Sequence, residues 1–144
     1  MLRDTPRPRP TLVLAMSDSS PVFTSGSART VLRLEGALVL VACVWIYSGL
    51  NQGWMLFLIL FLAPDLSALG YIAGRRTGAA AYNTLHTYLG PLALGIVGGV
   101  LAMDIVVGIA LIRGAHIGLD RALGYGLKLP KGFRDTHLGR IGRG

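Results

Sequence analysis

Residues 79–119 read AAAYNTLHTYLGPLALGIVGGVLAMDIVVGIALIRGAHIGL, 41 residues in which Asp104 and Arg113 are the only charged side chains. A helix that crosses a bilayer takes about 20 residues. This stretch therefore accommodates two spans and predicts a tight turn between them at Gly98-Gly99. The third span is expected over 79–98 and the fourth over 100–119, with an extension towards Lys128. Upstream, two more apolar segments predict spans over 30–48 and 54–74, joined by an uncharged turn, 49–53, that contains Asn51 and Gln52. In the second of these, Pro64 precedes Asp65. Proline removes a backbone donor and kinks a helix, which exposes backbone groups beside that carboxylate.

Composition agrees with a membrane chain. Of 144 residues, 52% are hydrophobic and 15% charged, against about 25% charged in soluble domains. Mean hydropathy is +0.56. The net charge of +7 would suit nucleic acid if it formed one patch. Instead the basic residues fall in the first 33 positions, at Arg75-Arg76, at Arg113 and after Asp120. That distribution flanks membrane spans and faces anionic headgroups. No nucleic-acid partner is expected, and the lipid bilayer is the expected environment. The turns at 49–53 and 98–99 carry no basic residue, so the positive-inside rule puts both termini in the cytoplasm. The fold expected is an all-α bundle of four transmembrane helices, a multi-pass protein of the cell inner membrane. Residues 1–29, rich in Pro and Ser, lack apolar periodicity and are expected to be disordered, with Met16 an alternative start. The transmembrane domain is then 30–128, and 129–144 forms a basic cytoplasmic tail. The single cysteine, Cys43, permits no intramolecular disulfide.

The ionisable residues are not scattered in depth. At 1.5 Å per residue, Glu35 lies about 8 Å inside span one, Asp65 about 14 Å before the cytoplasmic end of span two, and His86 about 11 Å into span three. His116 and Asp120, one helical turn apart on one face, lie near the cytoplasmic end of span four. Antiparallel spans have no reason to agree in depth unless their polar groups meet. Charge left in hydrocarbon is costly, so such groups mark functional sites.

Asp65, His86, His116 and Asp120 make an N/O ligand set suited to zinc, iron or manganese, and no partner cysteines argue for a thiolate site. Tyr82 and Asn83 precede His86 by one turn and are candidate outer partners or substrate contacts. Glu35 and His137 are candidate proton carriers in catalysis. Arg121 and Lys128 are candidate contacts for an anionic headgroup, with Tyr125 beside them at the helix end. The reading that follows is a metal-dependent membrane enzyme, hydrolase-like, acting on a lipid or lipid-like substrate. Three other readings use the same residues. One is a binding or structural protein whose polar cluster fixes helix packing. Another is a haem protein with His86 and His116 as axial ligands, and the last is a small transporter or proton relay.

Three stretches, LRLEGALVL (32–40), FLAPDLSALGYIAG (61–74) with AYNTLHTYLGP (81–91), and AHIGLDRALGYGLKLPKGFRDTHLGRIG (115–142), resemble a family of small bacterial membrane proteins, domain of unknown function 4260. The resemblance runs from Leu32 to Gly142 and leaves residues 1–29 outside. It implies a four-helix membrane protein and no particular reaction. A looser likeness, to membrane-bound metal-dependent hydrolases with intramembrane histidines and aspartates, is one of analogy.

Overall fold

The computed structural model describes residues 26–141. The chain is mostly helical: α1 (Gly26–Ser48), α2 (Trp54–Leu62) running into a 3-10 helix (Ala63–Ala73), α3 (Arg75–Leu85), α4 (Leu89–Val100) and α5 (Asp104–Leu123). Three short strands close it: β1 (Lys128–Leu129), β2 (Gly132–Thr136) and β3 (Gly139–Arg140). Most of the expected N-terminal extension, with Met16, lies outside the described residues. Its last four positions, 26–29, already belong to α1.

The core helix is α5, which packs against α1, α4 and α2. Its residues Gly114–Gly118 are buried in an unbroken run. The crossing with α1 is set by a pair of glycines. A Cβ on Gly118 would lie 2.7 Å from the Gly36 carbonyl oxygen and 2.8 Å from Leu40 N. A Cβ on Gly36 would meet the Gly118 carbonyl at 2.8 Å. The two backbones therefore touch, the small-residue contact by which helices approach closely in apolar surroundings. Arg33 adds a polar tie, its Nε donating to the Ala122 carbonyl at 2.8 Å.

Two segments, Gly26–Ser48 and Trp54–Ala73, are long and apolar enough to cross a membrane. Only 11% and 6% of their most apolar stretches are buried, so both lie mostly on the outside of the fold. Most of their large apolar side chains face outwards, with Trp45 77% exposed, Leu38 69% and Ile72 85%, while Tyr47 is buried.

The expected third span is not one helix. It breaks at His86–Tyr88 between α3 and α4. Pro91 supplies the reason. It has no N–H for the Thr87 carbonyl four residues back, and its ring would crowd that group in a continuous helix, so it is tolerated only in the first turn of a new one. At 11 and 12 residues, α3 and α4 are each about 17–18 Å long, short of a hydrocarbon core of about 30 Å. The turn before α5 also moves, from Gly98-Gly99 to Leu101–Met103, where Ala102 takes φ +51°. Gly98 is used for packing instead, since a Cβ there would meet Val107 N at 2.8 Å. The turn at 49–53 forms as expected, with Asn51 at φ +52°. The break at Pro64 also occurs, as the switch to 3-10 geometry from Ala63.

Helix α5, the expected fourth span, stops at Leu123 because Gly124 adopts a left-handed cap, φ +91°, with Tyr125 N donating to the Asp120 carbonyl at 2.7 Å. Beyond it the expected basic tail is a folded element, the antiparallel sheet β1-β2-β3. The sheet sits on α3. Both faces of the Asn83 amide hold it: Nδ2 donates to the Lys128 carbonyl at 2.9 Å, and Oδ1 accepts from Lys128 N at 2.7 Å. Phe133 meets Tyr71 edge-on at 5.4 Å.

Candidate functional site

Three elements converge where α3 ends. Asp65 comes from the 3-10 helix, Tyr82 and His86 from the end of α3, His116 and Asp120 from α5. The break after Leu85 matters here. It turns the chain away after His86, so that its ring faces α5 instead of continuing along a span.

The two imidazoles are buried, His86 to 1% exposure and His116 to 3%. Their Nε2 atoms are 3.1 Å apart. Asp65 Oδ1 is 3.8 Å from His86 Nε2 and 3.6 Å from His116 Nε2. Asp120 Oδ2 lies 3.6 Å from His86 Nε2. One ligand atom each from Asp65, His86 and His116 falls within 4.8 Å of the others. Ligands held about 2.0–2.2 Å from a common ion are about 3–4 Å from one another. The spacing fits a His/His/Asp group that can hold a metal ion.

The tautomer of His86 is determined. Its Nδ1 lies 2.9 Å from the Tyr82 carbonyl, which can only accept, so Nδ1 carries the proton. In the neutral ring Nε2 then presents a lone pair that can accept from His116 Nε2, 3.1 Å away, with the carboxylates of Asp65 and Asp120 at 3.8 and 3.6 Å. Lone pairs and anions so arranged repel unless a proton or a cation lies between them. A histidine whose second nitrogen donates to a carbonyl is also the usual arrangement of a metal ligand. The Tyr82 ring lies flat on His86, with centroids 3.6 Å apart and planes 7° from parallel. Its hydroxyl donates to Asp120 Oδ2 at 2.6 Å. Tyr82 thus orients both neighbours. His116 has no outer partner of this kind: its Nδ1 is buried without a hydrogen bond among the described residues, and the ring meets Phe61 edge-on at 5.3 Å.

The cluster opens into a cavity of about 420 Å³, lined by Asp65, Tyr82, His116, Asp120, Tyr125 and Lys128, with apolar walls that include Phe61, Leu62 and Phe133. Asp65 is the open side of the group, its side chain 58% exposed. Lys128, 3% exposed, places Nζ 4.0 Å from the Phe133 ring centroid, 4.7 Å from Tyr82 and 5.6 Å from Tyr125. Burial pushes its pKa down, while Asp120 and Asp65 pull it up.

Several expectations are corrected by this arrangement. Glu35 and His137 do not line the cavity beside the histidines. They face a separate cavity of about 330 Å³ together with Arg121 and Tyr88, because Glu35 stands on α1 and His137 in the β2–β3 turn. His137 Nδ1 accepts from Leu127 N at 2.9 Å. Burial and then the Arg121 charge hold its pKa below the usual histidine value. Arg121 turns the same way, donating to the Tyr125 carbonyl at 3.0 Å and the His86 carbonyl at 3.2 Å. Asn83 spends its amide on the Lys128 backbone and is not placed as a substrate contact. The haem arrangement is not met: axial ligands approach iron from opposite faces of a macrocycle, and Nε2 atoms 3.1 Å apart leave no room for one. Phe61, Phe133 and Arg134, which line the cavity, were not anticipated. Phe61 had a signal, one helical turn before Asp65, whereas Phe133 had none in a segment read as a polar tail.

No curated protein and no solved structure matches this chain. Residues 29–141 match the family described as Domain of unknown function (DUF4260). That is most of the chain and includes every residue of the cluster, and the protein is a member of this family.

Proposed function

We propose that this protein is a membrane-embedded metalloenzyme, hydrolase-like, that binds one divalent ion through Asp65, His86 and His116 and acts on a lipid-like ester. The observation that carries the reading is the meeting of three ligand atoms from three elements within 4.8 Å, with His86 already oriented by the Tyr82 carbonyl. Membrane residence is supported by the two apolar segments and by their outward-facing side chains. Four spans and cytoplasmic termini belong to the same proposal, with α3 and α4 together forming one broken span.

Three protein ligands leave a position for water, and a bound ion lowers the pKa of that water towards neutrality. The remaining work falls to the chain. Asp120, held by the Tyr82 hydroxyl through Oδ2, is placed to accept a proton from water attacking the ester and to return it to the departing alcohol as the ester bond breaks; the ion, held by Asp65, His86 and His116, would supply the activation of that water. Glu35 and His137 line another cavity, so the proton role moves from them to Asp120. Zinc, iron and manganese all suit two imidazoles and a carboxylate.

The test is metal content and ester hydrolysis of the detergent-purified protein. About one ion per chain, lost together with activity in His116→Ala, supports the proposal. A protein that binds no ion with measurable affinity is a structural bundle, and its cluster is a packing device.

A further inference from the structure

The cavity beside the metal ligands holds a buried cation that the reaction scheme does not use. Lys128 is 3% exposed. Among the described residues no oxygen is hydrogen-bonded or ion-paired to its Nζ, whose close neighbours are the ring faces of Phe133, Tyr82 and Tyr125. Its backbone is tied on both sides to Asn83, so the residue is held in place while its ammonium group points into the cavity. A buried ammonium is costly unless a counter-charge acts on it; the Asp120 and Asp65 carboxylates attract this one across the cavity, and a bound metal ion would claim both. Arg134 lines the same cavity.

Charge arithmetic identifies that counter-charge. A divalent ion is balanced by the Asp65 and Asp120 carboxylates, with both imidazoles neutral. Lys128 is then left without a counter-charge inside the cavity, and Arg134, exposed at its rim, is a second cation beside it. A phosphate monoester carries about −1.5 to −2 at neutral pH and several acceptor oxygens, which matches two cations and an open metal position. A fatty carboxylate brings half that charge. The rest of the wall is apolar: Phe61, Leu62, Ala68, Leu119, Leu123 and Ile141. Leu62 and Leu123 are each 56% exposed, so they line the cavity and also form part of the apolar outer surface. A chain attached to the phosphate can leave between them towards lipid.

We infer that the cavity takes an amphiphile with a phosphate monoester head, its oxygens held between the metal position and Lys128 and its tail passing Leu62 and Leu123. The inference rests on the metal reading above, because without the ion the two carboxylates would repel the head.

Isothermal titration of the detergent-solubilised full chain, loaded with zinc, tests it with three probes: a monoacylglycerol phosphate, the corresponding uncharged monoacylglycerol, and inorganic phosphate. The expected result is binding of the monoacylglycerol phosphate at least tenfold tighter than either of the others, and at least tenfold weaker after zinc is chelated. Lys128→Met, which keeps the stem and the backbone ties, should weaken that binding at least tenfold while zinc uptake is unchanged. Equal affinity for the charged and uncharged amphiphiles would overturn the phosphate head on wild-type protein alone. Inorganic phosphate binding as tightly as the amphiphile would overturn the tail path. Undiminished binding by a folded Lys128→Met protein would overturn the role of Lys128, with the metal site intact. Failure of the wild type to take up zinc, iron or manganese overturns the metal reading, and this inference with it.

Discussion

Replacing Asp65 by Asn separates a metal ligand from a surface charge. The substitution conserves shape and removes one negative charge from a side chain that is 58% exposed. If Asp65 only pairs with the histidines, the interaction is an exposed one and contributes about 0–1 kcal/mol to stability. If Asp65 holds an ion, a direct ligand is lost. Outer partners of metal ligands already cost about 10–100-fold in affinity when removed, so the loss should exceed about 100-fold, or about 2.7 kcal/mol. Thermal melts in detergent with and without zinc read this directly. At free zinc equal to about 100 times its Kd, the wild type gains about 2.7 kcal/mol of stability. At the same concentration Asp65→Asn, with its Kd raised about 100-fold, gains only about 0.4 kcal/mol. Without zinc the two proteins should melt within about 1 kcal/mol of each other. A zinc-induced shift of equal size in both would refute the ligand assignment. So would a large loss in Asp65→Asn that is the same with and without zinc.

Gly118→Leu should force α1 from α5, since even a Cβ there meets Gly36 O at 2.7 Å; a loss of about 1–3 kcal/mol or more is expected, read as a lower melting temperature in detergent. Asn83→Ala removes two hydrogen bonds to Lys128 and should cost about 1–3 kcal/mol, with hydrogen exchange accelerated over 128–136 and little changed in α1. The His137 pKa is depressed in the folded protein by burial and by Arg121, so the unfolded chain binds more protons as pH falls. Its contribution is complete above the unfolded value and is lost as pH drops through about 6.5 towards the lower folded pKa. Stability measured between pH 7.5 and 5 should fall, and less so in His137→Ala. An unchanged slope in that variant would assign the effect to other groups.

The meeting of Asp65, His86 and His116 was legible in the sequence, because ionisable residues in separate apolar segments are costly unless they meet. The depth count behind it took every segment as a continuous α-helix, which the 3-10 helix at Asp65 and the break after Leu85 are not. The one-turn spacing of His116 and Asp120 was also legible, but not that Asp120 would turn to the Tyr82 hydroxyl. The break that presents His86 was visible in principle. Pro91 stands in the stretch AYNTLHTYLGP, and apolar content over 79–98 masked its effect on the helix. The sheet was not legible. Its strands are two, five and two residues long, too short for alternation to show, and they are held by Asn83 some 45 positions away. Lys128 was marked for its charge, yet its burial among three rings depends on that sheet.

X-ray absorption at the zinc edge of the metal-loaded, detergent-purified protein tests the central claim most directly. The ligand set predicts about one zinc per chain, two imidazole nitrogens and light oxygen scatterers at about 2.0–2.2 Å, and no sulfur. Zinc that is absent, substoichiometric or bound without imidazole scattering would contradict it.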